Sequence, residues 1–404
     1  MTTVLAAIGG EAIMLPVSLL VFDQTQSTLA SAIIMICGML PDVLFAVLAA
    51  PIIDKGSKKN WIILLDGLMV LFYIAAGIFV LNSEFNYWLY LGGTLIVGTL
   101  SVFYRLAYES WYPDLIPIGL EQKGYAVSGT IYPTVMIVMA PVAAFLYERL
   151  HIGYIFILVA GITLLAIVIE SMIKETRTYK KEKFSFQNYR SDLREGFVFI
   201  RKEKGIRNIY TYMSITGGVS HGVYTITQAF YQTQIWLTVT MLGFLQSAET
   251  IGRMLAGLLQ YKWEVPVKKR YPFTKFVYTV YNLMDGILLL LPYPAMLLNR
   301  FLIGALGQTS GTIRHAAVQS YLPVDIRARV NSLFQVVFAL GAILFQLIVG
   351  WLGLYLPYPL VAGLMAGIGL ISMFILIWIP AKDNRPIYEA TRAARLAEAD
   401  AEIL

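Results

Sequence analysis

Twelve runs of about 20 mainly apolar residues divide the chain, each long enough to cross a bilayer as an α-helix. They fall near 2–22, 28–52, 60–81, 87–108, 125–147, 153–173, 207–230, 238–260, 273–291, 293–315, 331–353 and 358–379. Inside hydrocarbon every backbone N–H and C=O must be satisfied within the protein, which a helix does by itself. The pattern predicts an all-α membrane protein with twelve transmembrane helices. A soluble alternative fails on composition. With 58% hydrophobic and 14% charged residues, the chain lacks the polar surface of a soluble domain, which carries about 25% charged residues.

Charge then sets the topology. The segment Lys174 to Arg207 is a polar island between two apolar halves, with eleven of the 31 basic residues against five acids. Alternate loops fall into two sets. One carries Lys55, Lys58 and Lys59; Lys123; the island; Lys262, Lys268, Lys269 and Arg270; Arg327 and Arg329; and Lys382 to Arg395. The other carries Arg149 alone. The positive-inside rule places the first set and both termini in the cytoplasm. The first run has no basic residue before Lys55 and leads straight into a second run. It is therefore expected to be a retained span and not a cleaved signal peptide. The net charge of +6 sits in loops at regular intervals, a membrane pattern and not that of a nucleic-acid binder.

The halves repeat. A shift of 206 residues lays Leu115 to Leu120 over Tyr321 to Ile326, with Lys123 over Arg329, and Ala50 to Lys59 over Ala256 to Val265. Parallel six-span repeats are the build of many secondary transporters, with substrate bound where the halves meet. The expected layout is two pseudo-symmetric six-helix bundles, 1–173 and 207–380, joined by a cytoplasmic linker, 174–206. A cytoplasmic tail, 381–404, follows, its Ala-rich mixed-charge sequence predicting a solvated helix.

Several local motifs carry a family resemblance. Gly10-Glu11 is followed by Leu15-Pro16; Asp54-Lys55-Gly56-Ser57-Lys58-Lys59 joins spans two and three; Pro113-Asp114-Leu115-Ile116-Pro117 joins spans four and five; and Asp192 to Phe197 with Arg201 leads into span seven. Together they resemble the major facilitator superfamily, and within it the macrolide-efflux and siderophore-exporter branch. The chain departs from the family's loop motif in having Ala50 for the usual Gly and lysines for arginines. The resemblance implies transport by alternating access, and the direction, export, rests on it alone. It also implies that Asp54, with Lys55, Lys58 and Lys59, forms a conformational latch; the plainer reading is that the lysines hold the loop inside.

Ionisable side chains within the spans need a reason, since each costs about 2.5–3.5 kcal/mol at the bilayer centre on insertion scales. Glu11 and Asp42 lie deep in spans one and two. Desolvation favours the protonated form of a carboxyl, and a carboxylate that titrates near neutral pH can exchange a proton for substrate. Either acid can therefore be a coupling site, or simply be hydrogen-bonded to a neighbour. Glu249 and Arg253, four apart in span eight, share a helix face and can neutralise each other, or take a gating or substrate-binding role. Asp285 in span nine and Arg300 in span ten lie at comparable depth toward the outside and can form an interhelical bridge, or take part in proton coupling or substrate binding. His221 can titrate or can pack between helices. Arg105 and Arg314 are expected to snorkel to the interface. Tyr104, Tyr108, Tyr224, Phe230, Tyr231 and Trp236 offer apolar faces with polar tips, suited to amphipathic ligands or to the lipid belt.

Walker, His-Glu-x-x-His and Gly-x-Ser-x-Gly motifs are absent from the sequence, so neither an enzyme nor a bound cofactor or metal is expected, and Cys37 has no partner. Without a nucleotide site, transport would run on an ion gradient. The favoured expectation is a monomeric, multi-pass protein of the cell membrane that exports amphipathic, macrolide- or drug-like molecules in exchange for protons. An exporter or flippase-like transporter of lipid-like or siderophore-like metabolites and a non-transporting scaffold or sensor are the alternatives.

Overall fold

A computed structural model describes residues 2–53, 57–116, 121–173, 186–323 and 326–391, and in these there are fourteen α-helices and no strand. In chain order they are α1 (Thr2–Thr25), α2 (Thr28–Ile53), α3 (Lys58–Asn82), α4 (Tyr87–Leu115), α5 (Glu121–Arg149), α6 (Ile152–Met172), α7 (Phe186–Lys202), α8 (Lys204–Thr233), α9 (Val239–Lys262), α10 (Val267–Ile287), α11 (Tyr293–Tyr321), α12 (Arg327–Leu352), α13 (Tyr358–Met373) and α14 (Ala381–Tyr388). A π-helical turn over Phe374–Trp378 continues α13. All but α7 and α14 fall on the twelve predicted spans, so the twelve-helix expectation holds. Polar residues set several of the helix starts. Ser57 Oγ accepts from Asn60 N at 3.1 Å, Asn86 Oδ1 from Trp88 N at 3.0 Å, and His151 Nδ1 from Gly153 N at 3.3 Å. Each satisfies one of the backbone donors that the first turn leaves open.

The chain forms two compact units, Met1–Phe184 with Gln228–Ser247, and Ser185–Thr227 with Ala248–Leu404. Within the first, α3 packs on α6, α2 on α4, and α1 on α5 and α6. Within the second, α10 packs on α13. There α8 meets α12 and α9 meets α11 at glycines. The same three pairings therefore recur, first with fifth, second with fourth and third with sixth: spans one and five, two and four, and three and six in one unit; seven and eleven, eight and ten, and nine and twelve in the other. That recurrence is the packing counterpart of the 206-residue sequence repeat.

Two short helices join the second unit. On α7, Gly196 lies against the backbone of Arg329, whose guanidinium pairs with Glu195. The tail departs from expectation. Asn384 and Tyr388 of α14 are fully buried, where a solvated helix was predicted. Asn384, Ile387 and Tyr388 sit three and four residues apart on one face. That face docks through Asn384 Nδ2 to Leu376 O (2.7 Å) and Tyr388 to Tyr278, hydroxyl to hydroxyl at 3.1 Å. Residues 392–404 lie outside the described residues.

The α8–α12 crossing needs glycine. A Cβ on Gly218 would stand 2.5 Å from Gly341 O, and one on Gly341 would stand 2.5 Å from Ser214 O. Gly218→Ala is expected to destabilise the purified protein by about 1–3 kcal/mol through overpacking, read as a lower melting temperature in detergent. Gly363→Ala, whose Cβ meets open space, is expected to leave the melting temperature unchanged.

Candidate functional site

Length and apolar composition alone mark eight of the helices as able to cross a membrane, and α8, α9, α10 and α11 are not among them. Several of the polar residues that lower their hydropathy converge in the second unit. Asp285 of α10 is 1% exposed and Arg300 of α11 is 8% exposed. Arg300 Nη1 donates to Asp285 Oδ1 at 3.0 Å and lies 3.7 Å from Glu249 Oε2 of α9. Glu249 also pairs with Arg253, one turn further along α9. Ser220 of α8 donates to Asp285 Oδ2 at 3.4 Å and bonds the Tyr281 hydroxyl at 3.1 Å. Two acids and two arginines thus form one network, with charges that cancel.

Backbone contact between α9 and α11 makes this network possible. A methyl group on Gly304 would overlap the Glu249 carbonyl oxygen, and one on Gly252 would overlap Phe301 O. The two glycines let the helices touch, which brings Glu249 within reach of Arg300. The sequence pairs Glu249 with Arg253 and Asp285 with Arg300; the structure brings both pairs together and joins them.

In the first unit the acids have different partners. Glu11 of α1 accepts a hydrogen bond from the Tyr132 hydroxyl of α5, and among the described residues no ion pair reaches it. Asp42 of α2 is paired with Arg105 of α4, which also bonds Glu109 at 3.3 Å. Arg105 therefore neutralises Asp42 instead of only snorkelling. Arg314 likewise turns to a partner, donating to the Tyr278 hydroxyl at 3.2 Å. His221 is half-buried and packs edge-on against Phe338. Of the loop residues, Asp54 and Lys55 lie outside the described residues. Lys58 Nζ donates to Ile53 O at 2.9 Å, and Lys59 Nζ to Ser171 O and Ile173 O at 2.6 Å each. Both lysines thus sit on carbonyls at helix C-termini, where a cation is favoured.

Tyr104, Tyr108 and Tyr112 run along one face of α4, with ring centroids 6.5 and 5.3 Å apart. Phe230 and Tyr231 are buried and serve packing, with Trp236 against Phe230. Two features escape the sequence reading. The last turn of α1 contributes Asp23, which accepts from Tyr147 and from Gln232 Nε2. It borders a recess of about 600 Å³ that Glu148, His151 and Tyr231 also line. The second feature is the acid pair Asp66 and Glu170, 4% and 2% exposed. A lone acid inside each apolar run is the signal that marks it, the same one that marks Glu11.

A sequence model of the Major Facilitator Superfamily matches residues 1–284 and 270–399. The chain belongs to the major facilitator superfamily. It is thus a multi-pass membrane transporter. No curated protein matches the chain closely enough to count as a relative. Solved superfamily-like structures share its fold at low identity. The nucleoside transporter NupG aligns with a TM-score of 0.68 at 15% identity, covering 93% of this chain and 96% of its own. A mutant of the peptide transporter POT aligns at 0.70 and 12%, covering 95% and 94%. The xylose transporter XylE from E. coli aligns at 0.65 and 10%, covering 93% and 95%.

Removing one member of the Asp285–Arg300 pair leaves a buried charge unmatched, at a cost of about 3–5 kcal/mol, whereas replacing both with apolar residues of similar volume is often neutral. Arg300→Met and Asp285→Leu are each expected to lower the melting temperature strongly, and the double variant to recover most of the loss. Additive losses in the double variant would show that the pair is not coupled.

Proposed function

We propose that this superfamily member is a proton-coupled exporter of amphipathic small molecules, working by alternating access of its two halves with both termini in the cytoplasm. One observation carries the coupling. Glu11 is a half-buried acid in a membrane span whose partner is a neutral hydroxyl, Tyr132. A neutral partner can hydrogen-bond the carboxyl group in either protonation state, so proton gain and loss need not break an ion pair. Asp42, Asp285 and Glu249 each have an arginine partner, which favours a fixed charge. The networked Glu249, Arg253, Asp285 and Arg300 serve as substrate-side polarity and as a structural anchor in this reading. His221 is a packing residue.

The substrate class rests on the tyrosine face of α4 and the half-exposed Tyr132 ring, which suit a molecule with both apolar and polar parts. The macrolide-efflux resemblance supplies the direction. A second reading, export of siderophore-like metabolites, draws on Arg253, whose side chain is 56% exposed beside Glu249 and can meet an anionic chelator. The named structural relatives are transporters of nucleosides, peptides and xylose, so one such framework serves chemically distant cargoes. The loop from Asp54 to Lys59 acts as the latch, with Lys58 and Lys59 already holding the ends of α2 and α6.

In inverted membrane vesicles with an imposed pH gradient, the wild-type protein is expected to move a macrolide or a cationic dye in a gradient-dependent way. Glu11→Gln is expected to reduce gradient-driven movement at least tenfold while leaving ligand-induced thermal stabilisation in place. Full coupling in Glu11→Gln would remove the role given to Glu11. Gradient-independent movement of every compound in a broad panel would remove proton coupling itself.

A further inference from the structure

The buried acids Asp66 and Glu170 take no part in the proposed coupling. Asp66 lies eight residues into α3 and Glu170 two residues before the end of α6. Their carboxyl groups approach each other closely, and the Tyr104 hydroxyl of α4 lies beside Glu170. Glu170 Oε2 is buried with no hydrogen-bond partner.

Among the described residues, the basic side chains nearby are engaged elsewhere. Besides Tyr104, Tyr73 of α3 faces Asp66. Lys59 is bonded to Ser171 O and Ile173 O, and Lys58 to Ile53 O. On the other helices packed here, Glu11 of α1 is taken by Tyr132 of α5, and Arg105 of α4 by Asp42 and Glu109. Among the described residues no ion pair reaches Asp66 or Glu170.

Two carboxylates in contact within a poorly solvated bundle repel, and both are acceptors only, so neither can bond the other. One proton removes both problems. It takes away one charge and places an O–H between the groups, giving an oxygen the donor it lacks. A metal ion would call for more ligands, and no group of three or more His, Cys, Asp or Glu side chains gathers among the described residues.

We propose that Asp66 and Glu170 share a single exchangeable proton, making the α3–α6 contact a proton-binding site distinct from Glu11. The site does not rest on coupled transport, because the pair holds its proton whether or not cargo moves. Its position gives it a structural consequence. The folded chain binds one proton more than the unfolded chain, whose separated carboxyls are ionised above about pH 4. Stability is therefore fullest in acid and falls as pH rises until the pair gives up its proton.

The test measures melting temperature against pH on the purified full chain, without substrate, for the wild type, Asp66→Asn and Glu170→Gln. An amide keeps an N–H between the two groups at every pH. Between about pH 5 and the pH at which the pair releases its proton, the wild type is expected to lose about 2 °C per pH unit relative to each variant, so the curves diverge across that range. Parallel curves would overturn the proposal. Infrared spectra of the wild type provide a second measurement that needs no variant to fold. A protonated-carboxyl band at neutral pH that disappears in alkali is expected, and its absence at neutral pH would also overturn the proposal. Sodium chloride in place of potassium chloride is expected to change neither readout. A sodium-dependent rise in melting temperature that Glu170→Gln abolishes would assign the pair to a metal cation instead.

Discussion

A charge in hydrocarbon must be neutralised, by a partner or by a proton, and that constraint organises the interior of this transporter. Arg300 is its clearest expression. Its guanidinium lies between Asp285 and Glu249, and Arg253 completes a balanced set of four charges. The network exists only because α9 and α11 touch at Gly252 and Gly304. Packing and electrostatics are therefore one problem here, since a bulkier residue at either glycine would separate the charges as well as the helices.

The two units meet the constraint in different ways. In the second, acids are matched by arginines. In the first, Asp42 is matched, but Glu11 rests on a tyrosine hydroxyl and Asp66 rests on another acid. Acids without a cation partner are the groups whose charge is easiest to remove by protonation. This gives a physical reason to place proton chemistry in the first unit and a fixed polar framework in the second.

Much of this was legible in the residues. Apolar runs of bilayer length located all twelve spans, because length and hydropathy are local properties. The Glu249–Arg253 spacing follows from helix geometry, and the Asp285–Arg300 meeting follows from matched depth. The union of the two pairs was not legible, since it depends on a helix crossing that no local pattern encodes. Asp66 and Glu170 were missed because each stands close to a basic loop and is easily taken for an interfacial residue. Their significance lies in their contact across 104 residues of sequence. The tail misled for a related reason. Its composition is that of a solvated helix, while Asn384, Ile387 and Tyr388 supply a buried face too short to register in an average.

The central claim is that substrate and proton compete through Glu11, an acid that no arginine among the described residues holds. Proton release on ligand binding tests it most directly, measured with a pH indicator in weakly buffered detergent solution as a macrolide or cationic dye is titrated into the purified protein. The account expects net release near neutral pH, diminished in Glu11→Gln. Saturable binding with no proton release across the pH range in which the protein is folded would contradict it.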